Sequence, residues 1–294
     1  MKGRWLCLLL IFVLNFTIAN SLKGSSSSFP IALEIGKAQG KKPNLDDIVS
    51  KFRTLAHLYP YLLERYLQTG DVLLVNEIRE TTSALDQCLS LMGKAVENNL
   101  QKEMFAKVMT SSQKLKKNVE ANLLAIDRYR IIKLVFDNRA SQLLESLRVN
   151  SFEMTCQNGG DKSGNKKESL RALLDKVTAN ALRSIFATQF SLQRPDDEQR
   201  RNRTRALWDS TLKFSKRVTA VVSPEKKRLI AFLYPTLKSL NNLTADLFVR
   251  TDELRRAWDN TLSQVQSLEE LLGENEVQRS PTDSEKKTPS KSKR

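Results

Sequence analysis

Histidine is nearly absent from this 294-residue chain, with His57 the sole example. That excludes a histidine-rich metal centre, and any nucleophile and histidine pair would have to converge on one imidazole. His57 stands between Ala56 and Leu58 beside an apolar stripe, where a histidine packs or is solvated. Cysteine is scarce too. Three are present, and Cys7 lies in a segment expected to be removed, which leaves Cys88 and Cys156. Two cysteines cannot build a disulfide scaffold, so a hydrophobic core must hold the fold. They allow one pairing within the chain, and a Cys88–Cys156 bridge is the expectation; unstrained, it would stabilise by about 2–4 kcal/mol.

Long apolar runs are missing after the first twenty residues, so no later segment is expected to span a bilayer. Carboxylates are plentiful, but none stands alone on an apolar stripe where burial would tune it for proton transfer. Asp46-Asp47, Asp196-Asp197-Glu198 and Glu269-Glu270 fall at helix starts or on solvent faces. The sequence therefore offers no catalytic, cofactor-binding or metal-ligating residues, and it is not expected to be an enzyme. Gly159 to Lys166 has the glycine spacing of a phosphate-binding loop, but Asn165 occupies the position of the required lysine and no strand precedes it.

At the N-terminus, Lys2 and Arg4 precede an apolar run from Trp5 to Leu14, and Thr17 and Ala19 supply the small residues of a cleavage site. Residues 1–19 read as a signal peptide. The expected localisation is secreted and extracellular. Removal of Lys2 and Arg4 leaves 46 basic residues against 33 acids, a net charge of +13. An excess of that size concerns partners rather than fold. In an extracellular setting it argues against nucleic acid and for heparan-sulfate-like polyanions, with lipid surfaces as the other anionic class. The densest candidate patch is Lys226, Lys227 and Arg228. These residues lie just inside the helix start expected at Ser223-Pro224-Glu225, where the dipole gives cations no support. Asn202-Arg203-Thr204 and Asn242-Leu243-Thr244 are N-glycosylation sequons.

The rest of the chain is patterned for helices. Residues 20–43, with the run Ser25 to Ser28, read as a flexible leader. Asn44 is an expected N-cap, with Asp46 and Asp47 in the first turn. Ile48, Phe52, Leu55, Tyr59, Leu62 and Tyr66 then step by four and three, and Leu74, Ile78, Thr81, Leu85, Cys88, Met92 and Ala95 continue the pattern. From Lys94 to Val149 there is neither glycine nor proline, and breaks are expected at Glu97-Asn98-Asn99 or Thr110-Ser111-Ser112.

A glycine-rich polar loop is expected over 150–167. It divides an N-terminal helical half, 44–149, from a C-terminal half, 168–273. In the second half the expected stripes are Leu170, Leu174, Val177, Ala181 and Ile185; Leu207, Thr211, Phe214, Val218 and Val221; and Ile230 through Leu247. Thr251-Asp252-Glu253 is expected to open a last helix that Gly273 caps. Pro60 and Pro235 should kink or break their helices. Residues 274–294 read as a disordered basic tail.

The fold class is thus all-α, a multi-helix bundle with heptad-like stripes. The expected role is a secreted binding protein, an extracellular ligand or interaction protein retained by anionic glycans. It is cytokine-like only in the loose sense, and its partner is an extracellular or cell-surface protein. The alternative is an extracellular lipid carrier or lipid-surface-binding protein.

Overall fold

The computed structural model describes residues 44–157, 170–222, 227–228 and 230–278, with the backbone alone described for 150–157, 170–171, 221 and 274–278. The expected signal peptide, leader and tail lie outside the described residues, apart from the backbone of 274–278 in the last helix. Among the described residues there are six helices and no strand: α1 (Leu45–Thr69), α2 (Val72–Ala95), α3 (Asn99–Gln157), α4 (Leu170–Gln193), α5 (Glu198–Val221) and α6 (Leu233–Gln278).

Local chemistry sets most of the helix ends. The Asn44 side chain accepts from the Asp46 N–H at 3.2 Å, the cap expected from the sequence. Gly70 ends α1 in the left-handed region, φ 67°, and its N–H closes on the Tyr66 carbonyl at 2.8 Å. Asp71 then caps α2 through the Leu73 N–H. Of the two candidate breaks before α3, the chain uses the first. Asn98 accepts from the Gln101 N–H at 2.8 Å while the Gln101 side chain reaches back to the Glu97 N–H at 2.9 Å, a reciprocal capping box. Thr110 instead bonds back to the Ala106 carbonyl and the helix runs on.

Several expected boundaries move. The helix of α3 continues through Gln157, into the segment read as loop. α6 is one helix of 46 residues. Thr251 does not cap a new helix, because its hydroxyl donates to the Leu247 carbonyl at 2.7 Å and its side chain is buried. Gly273 lies inside α6 and is not a cap. Pro60 sits inside α1 without ending it. Pro235 falls in the first turn of α6, where the missing N–H has no helical partner to lose. The helix start expected at Ser223-Pro224-Glu225 lies outside the described residues.

The two long helices form an antiparallel spine. Asn118 of α3 reaches the Asn260 carbonyl, Asn122 the Ala257 carbonyl, and Arg139 the Ser239 hydroxyl, so positions on α3 rise as those on α6 fall. α1 and α2 pack as an antiparallel hairpin on one end of this spine, joined by Tyr59–Thr82 and anchored by Asp86–Lys116 to α3 and His57–Glu269 to α6. α4 and α5 make the second hairpin on the other end, with Arg201–Asp252 and Lys216 over Tyr234 tying α5 to α6. The result is two four-helix bundles end to end that share α3 and α6, within one compact unit.

Each bundle has its own core. The first buries Phe52, Leu55, Tyr59, Ile78 and Leu85 at the expected stripe positions, together with Leu63, Leu115 and Leu268. The second centres on Phe136, Leu143, Val177, Trp208, Leu237 and Leu240. Here the reading of α5 is corrected. Leu207 is exposed, and the inward face is Thr204, Trp208, Thr211, Ser215 and Val218. Hydroxyls of α4 take up the polarity of all but Ser215: Ser191 pairs with Thr204 at 2.8 Å and Ser184 with Thr211 at 2.9 Å, while the Trp208 indole N–H donates to Thr188 at 3.0 Å. Partnered hydroxyls cost little to bury, and their small size lets α4 and α5 approach closely.

Candidate functional site

Two features of the described surface suit binding: a basic face on α5 and a cleft where the bundles meet. α5 carries seven lysines and arginines against two acids. Its polar core turns Arg203, Ala206, Ser210, Lys213 and Arg217 to the opposite side at steps of three and four, and all are exposed. Arg200 pairs with Asp197 and Arg205 with Glu198, but Arg203, Lys213 and Arg217 have no carboxylate partner among the described residues. Beyond the end of α5, Lys227 and Arg228 of the expected patch are exposed, and Lys226 lies outside the described residues. The stripe on α5 escaped the sequence reading because its cations are ten and four residues apart, with Ala206 and Ser210 between the first two, and so form no contiguous run.

The sequons lie in helices. Asn202 on α5 and Asn242 on α6 are exposed, while Thr204 and Thr244 are buried at 1 % exposure. Asn202 shares the outward side of α5 with the basic stripe and accepts from Arg205 at 2.7 Å.

Cys88 is a free, buried thiol, pushed up from its ordinary pKa by burial. Of the expected bridge, the Cys156 side chain lies outside the described residues, but its backbone is helical. Cys88 packs between the level of Phe105, which touches Gly93, and that of Lys116, which pairs with Asp86. Cys156 follows forty residues after Lys116 on a continuous α3, about 60 Å further along at a rise of 1.5 Å per residue. Sulfurs bridge only when their Cα atoms are within about 7 Å. His57, exposed, holds Glu269 at 2.5 Å and so ties α1 to α6.

The second feature, a cleft of about 830 Å³, opens at the junction of the bundles. Arg130 positions one wall. It donates to the Tyr66 carbonyl at 2.8 Å, lies over the Tyr66 ring, and fills the space a side chain at Gly70 would occupy. Pro195, in the α4–α5 turn, borders the opposite end, where Arg255 pairs with Asp196. Leu67, Leu134, Leu192 and Leu254 supply an apolar lining from four different helices. Tyr129 and Trp258 add aromatic surface, and burial, with the Asp137 charge nearby, holds the Tyr129 phenol above its ordinary pKa. The charged rim is Glu64, Arg130, Lys133, Asp137 and Arg255. Among the described residues no group of histidines, cysteines and carboxylates could hold a metal ion, and no helix is long and apolar enough to cross a membrane.

No protein-family model matches the sequence, and no curated protein matches it. The fold does have a counterpart. The crystal structure of the sensor domain of the histidine kinase sensor TorS from V. parahaemolyticus is similar with a TM-score of 0.57 and 12% identity, covering 80% of this chain and 100% of that one. At that identity the likeness is one of fold.

Proposed function

We propose that this chain is a secreted helical-bundle binding protein, an extracellular ligand or interaction protein that sulfated glycans hold near its site of release. The observation that carries the reading is the set of cations Arg203, Lys213 and Arg217 on the outward side of α5 with no carboxylate partner among the described residues; Lys227 and Arg228 are exposed as well. Exposed cations without internal carboxylates are free to meet an external polyanion. The sensor-domain fold of the neighbour is compatible with a binding role. A glycan on Asn202 would stand over this face, so Asn242 is the sequon whose use agrees with it.

The test is heparin chromatography of the purified protein, prepared without N-glycans. The parent should be retained at physiological salt and released by more, since screening weakens contacts between exposed charges. Reversing Arg203, Lys213 and Arg217 to glutamate should abolish retention, while reversing tail residues Lys286, Lys287 and Lys291 should lower it much less. Equal losses would show that only net charge matters, and flow-through of the parent would end the proposal. Binding to anionic vesicles in preference to heparin would favour the lipid-surface alternative.

A further inference from the structure

The junction cleft is separate from the α5 face, and its charges are largely matched within the protein. Lys133 holds Asp137 at 2.6 Å, and Arg255 pairs with Asp196 and, at 3.8 Å, with Asp259. Arg130 is turned to the Tyr66 carbonyl and ring. Glu64, exposed at the rim, accepts from the Gln68 amide at 3.2 Å and has no cation on it among the described residues. Against the three lining cations thus stand Glu64, Asp137 and the two carboxylates on Arg255. No positive charge is left over to select an anion. Water reaches Glu64 and screens it, so it selects a cation only feebly.

What the cleft does offer is apolar surface and one hydrogen-bonding group without a partner. Leu67, Leu134, Leu192, Leu254 and Pro195 line a volume of about 830 Å³, in the range of small-molecule sites. Leu134 is 62% exposed, so apolar surface stands open there, and the half-buried Trp258 offers a ring against which a flat group can lie. Tyr129 packs on the core of the second bundle, yet its hydroxyl has no hydrogen-bond partner among the described residues and is not sealed from solvent. In so partly buried a place a hydrogen bond to an acceptor is stronger than in open water.

We infer that the junction cleft binds a small uncharged molecule, a flat apolar body bearing a carbonyl-type acceptor. The body lies on Leu134, Leu254 and Trp258, and the carbonyl accepts from the Tyr129 hydroxyl. Because the lining comes from α1, from α4 and its turn, and from both helices of the spine, an occupant joins the two bundles.

The probe is 6-propionyl-2-(dimethylamino)naphthalene, a neutral fluorescent ketone, with 2-(dimethylamino)naphthalene as the same ring system without the carbonyl. With the purified full chain the ketone should bind saturably at one site with blue-shifted emission, and it should raise the melting temperature. Tyr129→Phe removes one neutral hydrogen bond and keeps the ring, so it should weaken the ketone by about three- to tenfold and leave the carbonyl-free analogue unchanged. Leu134→Asp alters an exposed position and should weaken both probes at least fivefold while helical circular dichroism stays native. For the charge, N-phenyl-1-naphthylamine should bind at least as tightly as 1-anilinonaphthalene-8-sulfonate. The assignment is overturned if the ketone shows no saturable binding, if Tyr129→Phe affects ketone and analogue alike, if Leu134→Asp changes neither, or if the sulfonate is the tighter of the last pair. Loss of heparin retention leaves it untouched.

Discussion

Breaking the ion pair between Arg201 and Asp252 should destabilise the chain by an amount that depends on which partner is removed. The Arg201 side chain is 4% exposed and that of Asp252 47%, with two nitrogen–oxygen contacts of 2.8 Å between them. Asp252→Ala leaves a guanidinium without its counter-charge inside the second bundle. Removing one partner of a fully buried pair costs about 3–5 kcal/mol. Water reaches the carboxylate end of this pair, and the Phe248 ring 5.2 Å from the guanidinium keeps part of its stabilisation. The loss should therefore be about 2–3 kcal/mol, with the discount for partial exposure taken into account. Arg201→Met removes the buried charge and an Nε that has no hydrogen-bond partner, and it leaves Asp252 half in water. It should cost less than about 1 kcal/mol. For a chain of this size about 2–4 °C accompanies each kcal/mol, so Asp252→Ala should melt about 5–10 °C below the parent. Urea titrations followed by circular dichroism, with thermal melts, measure both variants. If Arg201→Met is as destabilising as Asp252→Ala, the reasoning from buried charge is refuted and Arg201 contributes mainly through packing.

Gly70→Ala should cost about 1–2 kcal/mol, since φ is 67° and the Arg130 guanidinium occupies the space of the new methyl; a stable variant in the same titration would show that the turn is not held there. Burial pushes the Tyr59 phenol up to about 12 and raises those of Tyr66 and Tyr129. A group whose pKa is higher in the folded chain contributes stability that is full below the unfolded value, near 10, and is lost as pH rises through the folded value. Thermal stability should therefore fall between about pH 10 and 12 for this reason, and Tyr59→Phe should flatten that fall. Cys88 should resist alkylation in native buffer and react after unfolding without reductant. A Cys88–Cys156 peptide in non-reducing maps would mean that α3 is not continuous.

The first bundle was legible in the sequence. Ile48 to Tyr66 and Leu74 to Met92 are apolar at heptad steps, so transfer from water alone selects the buried face. Asn44 and Gly70 end α1 by chemistry confined to a few residues, which is why their places were visible. The all-α class followed from the same periodicity. The second bundle was legible only in part, because α5 buries Thr204 and Thr211, and a hydroxyl stripe becomes a core face only when Ser184 and Ser191 of α4 stand opposite to pair with it. The expected stripe had Thr211 and Val218 in place but took Leu207 for Trp208 and Phe214 for Ser215. Thr251-Asp252-Glu253 has the composition of a helix start, yet Asp252 is drawn to Arg201 fifty-one residues earlier and Thr251 bonds back into its own helix. The junction cleft is wholly tertiary: Leu67, Leu134, Leu192 and Leu254 are ordinary leucines in the sequence. They line one space only because the antiparallel spine brings the turns of two hairpins to the same level.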